Sequence, residues 1–331
     1  MFHRPAHPAL YAPGGTAVAP APISLLTELE LGELVDDAPT LLPMPDVLEH
    51  GASEPFRYCL NTSTLRGHNL TLPELVDIAA SAGYEAIEPW VDELEKHEQT
   101  GGNLRDLGMR IRDMGLTVEG GIGFFDWIVD DDAARLAGLD QARQAMTLLS
   151  KIGGKRVAAP PWNAHKADAT PLNLLAAAER YRTLLEIGDK MGVIPQVEVW
   201  GFSKNLSRLG EAAFVAMESG HPDANILADT YHLYKGGSPL SALAYVQGDK
   251  LPVVHVNDYP AISPADITDA DRVFPGDGVA PLTPFFRTLR TIGFKGVLSL
   301  ELFNKEYYAR EPLHVAKEGL EKLREAVQKS F

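Results

Sequence analysis

Four apolar runs in the second half of the chain each end on an acidic or imidazole side chain: Gln196-Val-Glu198, Ile226-Leu-Ala-Asp229, Val253-Val-His255 and Leu298-Ser-Leu-Glu301. One imidazole with three carboxylates, here His255 with Glu198, Asp229 and Glu301, is the donor set of a hard divalent cation such as Mn²⁺ or Mg²⁺. A carboxylate inside Val197-Glu-Val199-Trp200 must be paired or metal-bound, because desolvating a lone charge is costly. Taken singly, each acid has a plainer reading as half of a structural ion pair, and His255 as a hydrogen-bonded core histidine. Position lifts the set above that. If the four runs are neighbouring parallel strands, their ends share one rim and the donors converge on one ion.

Such a rim needs a parallel sheet, and the punctuation of the chain predicts one. A helical pattern ends in Gly and a short apolar run follows within a few residues, as at Gly83 before Ala86-Ile-Glu88, Gly115 before Leu116-Thr-Val118, and Gly153 before Arg156-Val-Ala158. The unit recurs at Gly192 before Ile194 to Val199 and at Gly293 before Gly296 to Leu302. Glycine past a helix takes the left-handed conformation that ends it, and a short loop then launches a strand. Eight apolar runs are expected as strands: Tyr58 to Asn61, Ala86 to Trp90, Leu116 to Gly121, Arg156 to Ala159, Ile194 to Trp200, Ala224 to Ala228, Leu251 to Val256 and Gly296 to Leu302. Helices are expected between them, among them Leu72 to Ala82, Asn103 to Met114, Ala133 to Ile152, Pro171 to Met191, Leu206 to Glu218, Leu240 to Tyr245 and Leu282 to Thr291, with Leu313 to Val327 closing the chain. Eight strands, each followed by a helix, make the α/β architecture of a (β/α)₈ TIM barrel, whose chemistry sits at the strand C-termini. A doubly wound open sheet is the alternative. No Gly-rich dinucleotide loop follows the first strand, which disfavours it.

Residues 1–53 have another texture: Pro, Ala and Gly to Pro22, then a short acidic amphipathic stretch, then Pro43 and Pro45. They are expected to form an irregular N-terminal extension, with the barrel spanning residues 54–331. The chain of 331 residues carries 30 Lys and Arg against 45 Asp and Glu, a formal charge of −15. That balance argues against nucleic acid or an anionic membrane as partner, since both need a basic surface. Cys59 is the one cysteine, which excludes an intrachain disulfide and a thiolate metal site. No run of ~18 apolar residues and no continuous signal-peptide core occurs, so a cytoplasmic location is expected.

The order and spacing of Val197-Glu-Val, Leu227-Ala-Asp-Thr-Tyr-His232, Val254-His-Val-Asn-Asp258, Arg272 ahead of Pro275-Gly-Asp-Gly278, and Leu298-Ser-Leu-Glu301 resemble the xylose isomerase-like TIM-barrel superfamily, in its sugar phosphate isomerase/epimerase branch. The likeness covers about residues 56 to 328. It implies a Mn²⁺-type ion, with Mg²⁺, Co²⁺ or Zn²⁺ as alternatives, held by Glu198, Asp229, His255 and Glu301. It further implies that Glu198 and Glu301 exchange protons with substrate carbon, while His232 and Arg272 bind substrate oxygens. In the epimerases of that family an acid stands six places beyond the first ligand. Here that place is Lys204, a cation suited to a keto oxygen, a carboxylate or a phosphate.

Read this way, the chain is a metal-dependent isomerase or epimerase acting on a ketose or related keto-sugar through an enediolate. Elimination from the same intermediate makes a dehydratase, lyase or hydratase of a keto-sugar or inosose the alternative. Expected pocket walls are His68, Glu88 and Trp90, Phe124, Phe125 and Trp127, and Trp162, Asn163 and His165, with Glu88 and Trp162 meeting substrate. Loop packing explains the aromatics equally well, and Glu88 reads either as a second acid/base or as a partner for a strand-end lysine. Arg272, among Asp266, Asp269 and Asp271, has the plainer reading of a solvated loop arginine. A three-metal DNA-repair enzyme of the same barrel would need more His ligands and a basic groove. A non-catalytic sugar-binding or accessory subunit need not carry a complete ligand ring. A homo-oligomer is left open.

Overall fold

The structure, a computed structural model, describes residues 54–331, and the expected extension at residues 1–53 lies outside the described residues. Eight strands follow in order: β1 (Arg57–Asn61), β2 (Ala86–Glu88), β3 (Thr117–Val118), β4 (Arg156–Ala159), β5 (Ile194–Glu198), β6 (Ile226–Asp229), β7 (Val253–Val256) and β8 (Val297–Leu300). They pair in parallel in the order β3-β2-β1-β8-β7-β6-β5-β4. The two ends of that order meet where the Ala158 N–H donates to the Gly121 carbonyl at 2.9 Å. The sheet is thereby rolled into the expected barrel.

The helices are α1 (Leu72–Ala82), α2 (Val91–Gln99), α3 (Leu104–Asp113), α4 (Asp132–Lys151), α5 (Leu174–Met191), α6 (Leu209–Glu218), α7 (Thr230–Lys235), α8 (Leu282–Thr291), α9 (Lys305–Tyr308) and α10 (Pro312–Gln328). Their boundaries follow local chemistry. At the start of α1 the Glu74 carboxylate accepts from both the N–H and the hydroxyl of Thr71 at 2.7 Å, Pro73 occupies the first turn, and Gly83 ends the helix at φ 93°. The same left-handed stop recurs at Gly192, φ 69°, after α5. None of the helices among the described residues is long and apolar enough to cross a membrane.

All eight expected strands are present, most trimmed by a residue or two. The largest difference is at β3, expected from Leu116 to Gly121 and reduced to two residues: the Gly120-Gly121 pair carries no side chain to pack on the sheet. The segment Leu240 to Tyr245, expected as an α-helix, is a 3₁₀ turn behind Pro239. Helix α2 was not expected, because only Leu94 on it is buried and no apolar stripe marks it. Inside the barrel Cys59, Ala86, Ile122, Ala158, Leu227, Val253 and Val297 form a small apolar cluster.

Candidate active site at the strand C-termini

Glu198 and Asp229 are the last residues of β5 and β6, His255 lies one residue short of the end of β7, and Glu301 follows β8 directly. Parallel register brings Asp229 level with His255, and His255 level with Ser299. All four donors are at most 4% exposed. One ligand atom each from Asp229, His255 and Glu301 fall within 4.8 Å of one another. His255 Nδ1 stands 3.2 Å from Glu301 Oε2 and 3.8 Å from Asp229 Oδ2. Glu198, a strand further round the rim, is not in that tight group, though the charges of His255, Glu301 and Asp229 act on its carboxyl.

Arg272 lies within this ring and not in solvent. It is 1% exposed, and its Nη1 donates to Asp229 Oδ2 at 3.0 Å and to Glu301 Oε2 at 2.8 Å. Its Nη2 lies 3.3 Å from His232 Nε2, and Tyr231 packs on the guanidinium at 4.3 Å from ring centroid to Cζ. The plainer reading of a loop arginine fails because the loop folds over the rim: Val273 and Asp258 exchange both backbone hydrogen bonds at 2.9 Å. His232 follows Asp229 in α7, where the Asp229 carboxylate accepts the His232 N–H at 2.9 Å and caps the helix.

The electrostatics separate the acids. Burial, reinforced by the Glu301 and Asp229 carboxylates and only partly offset by His255, raises the Glu198 carboxyl to about 8. Burial acts on Asp229 in the same direction, but Arg272, His232 and His255 outweigh it and hold that carboxyl at about 2. Burial alone would lower His255, yet Glu301 and Glu88 on either side of the ring push it well above the ordinary imidazole range.

Glu88, expected against substrate, turns inward instead. It is 1% exposed, and its Oε2 meets His255 Nε2 at 2.9 Å, Ser299 Oγ at 2.7 Å and Asn61 Nδ2 at 3.0 Å. Its cationic partner is thus a histidine across the barrel and not a lysine. Trp162 is half-buried in a line of aromatics at the mouth, 4.8 Å from Phe124 and 6.1 Å from Trp200 between ring centroids. Trp90 and Phe303 extend that line, and Phe202 joins it to His232. Lys204 is exposed; its N–H donates to the His165 carbonyl at 3.0 Å, tying the loop after β5 to the loop after β4. Three expected wall residues serve packing. Trp127 is fully buried with its indole N–H on the Pro160 carbonyl, Phe125 is in the core, and His68 bonds the carbonyls of Leu65 and Arg310.

The residues that aim the acids carried no expected role. Asn61 Nδ2 reaches both Glu88 Oε2 and Glu301 Oε1, the latter at 3.2 Å, while its Oδ1 accepts from the Trp90 indole at 3.0 Å. Asn257 Nδ2 donates to Asp229 Oδ2 at 3.1 Å. Asp258 Oδ2 accepts from Gly276 and Gly278 N–H and its Oδ1 from Ala280 N–H, at 2.8 to 3.1 Å, so it anchors the loop that carries Arg272. Asn257 and Asp258 sit beside His255 in one apolar run, the one signal by which they stand out. Asn61 closes the first strand with no chemical neighbour in sequence.

The donors suit a divalent cation. Glu198 Oε2 is buried with no hydrogen-bond partner, a costly condition that coordination relieves. Three oxygens and one imidazole nitrogen without thiolate match a hard or borderline ion.

A family model described as xylose isomerase-like TIM barrel matches residues 76–326. The inosose isomerase of Bacillus velezensis is 28% identical over 187 residues, which is 55% of this chain and 67% of that protein. The 3-dehydroshikimate dehydratase of Pseudomonas putida is 25% identical over 260 residues, 76% of this chain but only 39% of that larger protein. Among solved structures, the IolI protein with a bound zinc atom superposes with a TM-score of 0.75 at 22% identity, over 83% of this chain and 99% of the other, a likeness of fold. With the matching family model extending over more than half of the sequence, the chain belongs to the xylose isomerase-like TIM barrel family.

Proposed function

We propose that the protein is a divalent-metal-dependent enzyme that moves a proton at the carbon beside a carbonyl of a ketose or inosose, giving isomerisation or epimerisation. The observation that carries this reading is the convergence of Asp229, His255 and Glu301 within 4.8 Å, beside a buried Glu198 whose Oε2 has no partner. Glu198, Asp229, His255 and Glu301 would hold the ion. When bound, it supplies Lewis acidity that lowers the barrier to deprotonating a carbon next to a carbonyl. Mn²⁺ suits three carboxylates and an imidazole, and the zinc in the IolI relative's structure supports a divalent ion in a fold of this kind.

The rest falls to side chains. Glu301 and Glu198 approach the ring from β8 and β5, so one takes a proton and the other returns one. Asp229, held ionised by Arg272, is unsuited to carrying a proton at neutral pH. Arg272 and His232 border the same group and would fix substrate oxygens, while the aromatics at the mouth exclude water and stack on a ring. Lys204 in the loop after β5 would draw a keto oxygen or an anionic group. The inosose isomerase likeness supports rearrangement.

Elimination is the second reading, favoured by the dehydratase likeness and by the cation at Lys204. Both begin with the same proton removal. The test loads the full chain with Mn²⁺ and offers ketoses, inososes and keto-glycosides deuterated beside the carbonyl. Label is expected to wash out to solvent, and enone absorbance appears only if a leaving group departs. Glu301→Gln keeps an amide oxygen for the ion but no basic oxygen, so exchange is expected to fall ~10² or more with metal retained. Normal exchange in a metal-loaded Glu301→Gln protein overturns the assignment.

A further inference from the structure

We propose that Glu88 is a positioning residue whose carboxylate, seated in space left by Gly120, fixes the ring of His255 and aims its Nδ1 at the candidate ion position. The inference rests on the metal reading of this site and concerns groups outside the ligand set. Glu88 ends β2 and His255 lies on β7, with β1 and β8 between them in the sheet. The contact therefore crosses the barrel interior. A single oxygen, Oε2, gathers three groups: the His255 ring at 2.9 Å, Ser299 Oγ at 2.7 Å and Asn61 Nδ2 at 3.0 Å. Ser299 is level with His255 in the β7–β8 register and Asn61 is level with Glu88 in the β1–β2 register, so both strands between hold the carboxylate in place.

The ring has two nitrogens facing different ways. Nε2 points at Glu88, and Nδ1 faces Glu301 and Asp229. A carboxylate on Nε2 keeps the proton there and leaves the lone pair on Nδ1, the tautomer that a cation on the Asp229 and Glu301 side requires. A carboxylate in that role also raises the basicity of the ligating nitrogen.

Gly120 supplies the second, independent observation. A Cβ at this position would lie 2.4 Å from Glu88 Oε1, and its three nearest atoms all belong to the Glu88 side chain. Gly120 is not among the glycines with positive φ, so its backbone tolerates alanine and the cost falls on Glu88 alone. Gly120, just past the shortened β3, thus has a local purpose: it makes the seat in which the β2 carboxylate reaches the β7 histidine.

The test measures Zn²⁺ and Mn²⁺ affinity by chelator competition on the full chain, together with ¹⁵N chemical shifts of the histidine rings in the zinc-loaded protein. Glu88→Gln, which keeps the acceptor and loses the charge, is expected to weaken binding about tenfold, and Glu88→Ala about 100-fold. Gly120→Ala is expected to weaken binding within the same range in the parent chain. In a Glu88→Ala background, where the clash is gone, it is expected to change affinity less than twofold. That coupling, with a protonated His255 Nε2 in the zinc-loaded parent, distinguishes positioning from a general loss of packing. Equal affinity in the parent, Glu88→Gln and Gly120→Ala proteins overturns the proposal. So does a Gly120→Ala penalty that persists in full without Glu88, or a His255 protonated on Nδ1 in the zinc-loaded parent. If Glu88→Ala does not fold, Glu88→Gln and the ring tautomer decide. A parent chain that binds neither ion overturns the metal reading itself, an outcome separate from variants that bind as the parent does.

Discussion

Two carboxylates on neighbouring strands end at opposite extremes, and the difference lies in what each side chain meets. Asp229 finds Arg272 at 3.0 Å, whereas Glu198 Oε2 finds nothing. Sequence could place both acids at strand ends, since a charge inside an apolar run is conspicuous. It could not pair them, because Arg272 is 43 residues from Asp229 and looks like one charge in an acidic loop. For Glu198 the sign of the pH effect follows from a folded value of about 8 against an ordinary 4.5. The folded state binds this proton more tightly than the unfolded chain, so metal-free stability falls as pH rises from about 4.5 to 8. An ion that takes the carboxylate must displace the proton, so affinity climbs through the same window and levels off above it. Metal uptake at pH 7 is therefore expected to release protons, and Glu198→Gln is expected to release one fewer. Calorimetry in buffers of different ionisation heat reads that number directly, and equal release from both proteins removes Glu198 from the ligand set.

Elements were legible where a periodic signal repeats, as at the Gly-ended helices that launch β2 through β5 and β8. They were not legible where geometry replaces pattern. Helix α2 buries one residue, and α7 is six residues long and owes its start to the Asp229 cap. The loop after β7 is the case that matters for function. Its Pro275-Gly-Asp-Gly278 motif was visible, but its purpose emerges from Asp258, whose two oxygens accept three N–H groups of the loop and so set where Arg272 lies. At Gly278 an added Cβ would sit 2.3 Å from Asp258 Oδ1 and 2.3 Å from the Tyr259 carbonyl, and the latter cannot swing away. Gly278→Ala is expected to cost about 1–3 kcal/mol in stability through overpacking. Displacing the loop also moves Arg272, so KM is expected to rise ~10-fold while metal stoichiometry holds. Kinetics beside metal analysis check this, and an unchanged KM would separate the loop from substrate binding.

At the scale of the whole molecule, the barrel closes within the described residues. The sheet is complete between Arg57 and Leu300, and α10 returns against α1, with the Tyr84 hydroxyl donating to the Ala316 carbonyl at 3.1 Å. Deleting residues 1–20 is therefore expected to leave metal content and melting temperature in place. The closed barrel also concentrates charge: Glu88, Asp229 and Glu301 are all buried around one imidazole and one guanidinium, with Glu198 beside them and its carboxyl raised to about 8. Such a cluster is held together but strained by desolvation, and an ion binding only the folded state stabilises it by mass action. At a free concentration 100 times Kd the gain is about 2.7 kcal/mol, which for a chain of this size raises the melting temperature by roughly 4–8 °C. Both the full chain and the shortened one are expected to show that shift with Mn²⁺ or Zn²⁺. Asp229→Asn, which removes a buried anion from the centre of the group, is expected to lose most of it. A shift in the full chain that vanishes on deleting residues 1–20 would show that the extension, and not the rim alone, completes the ion site.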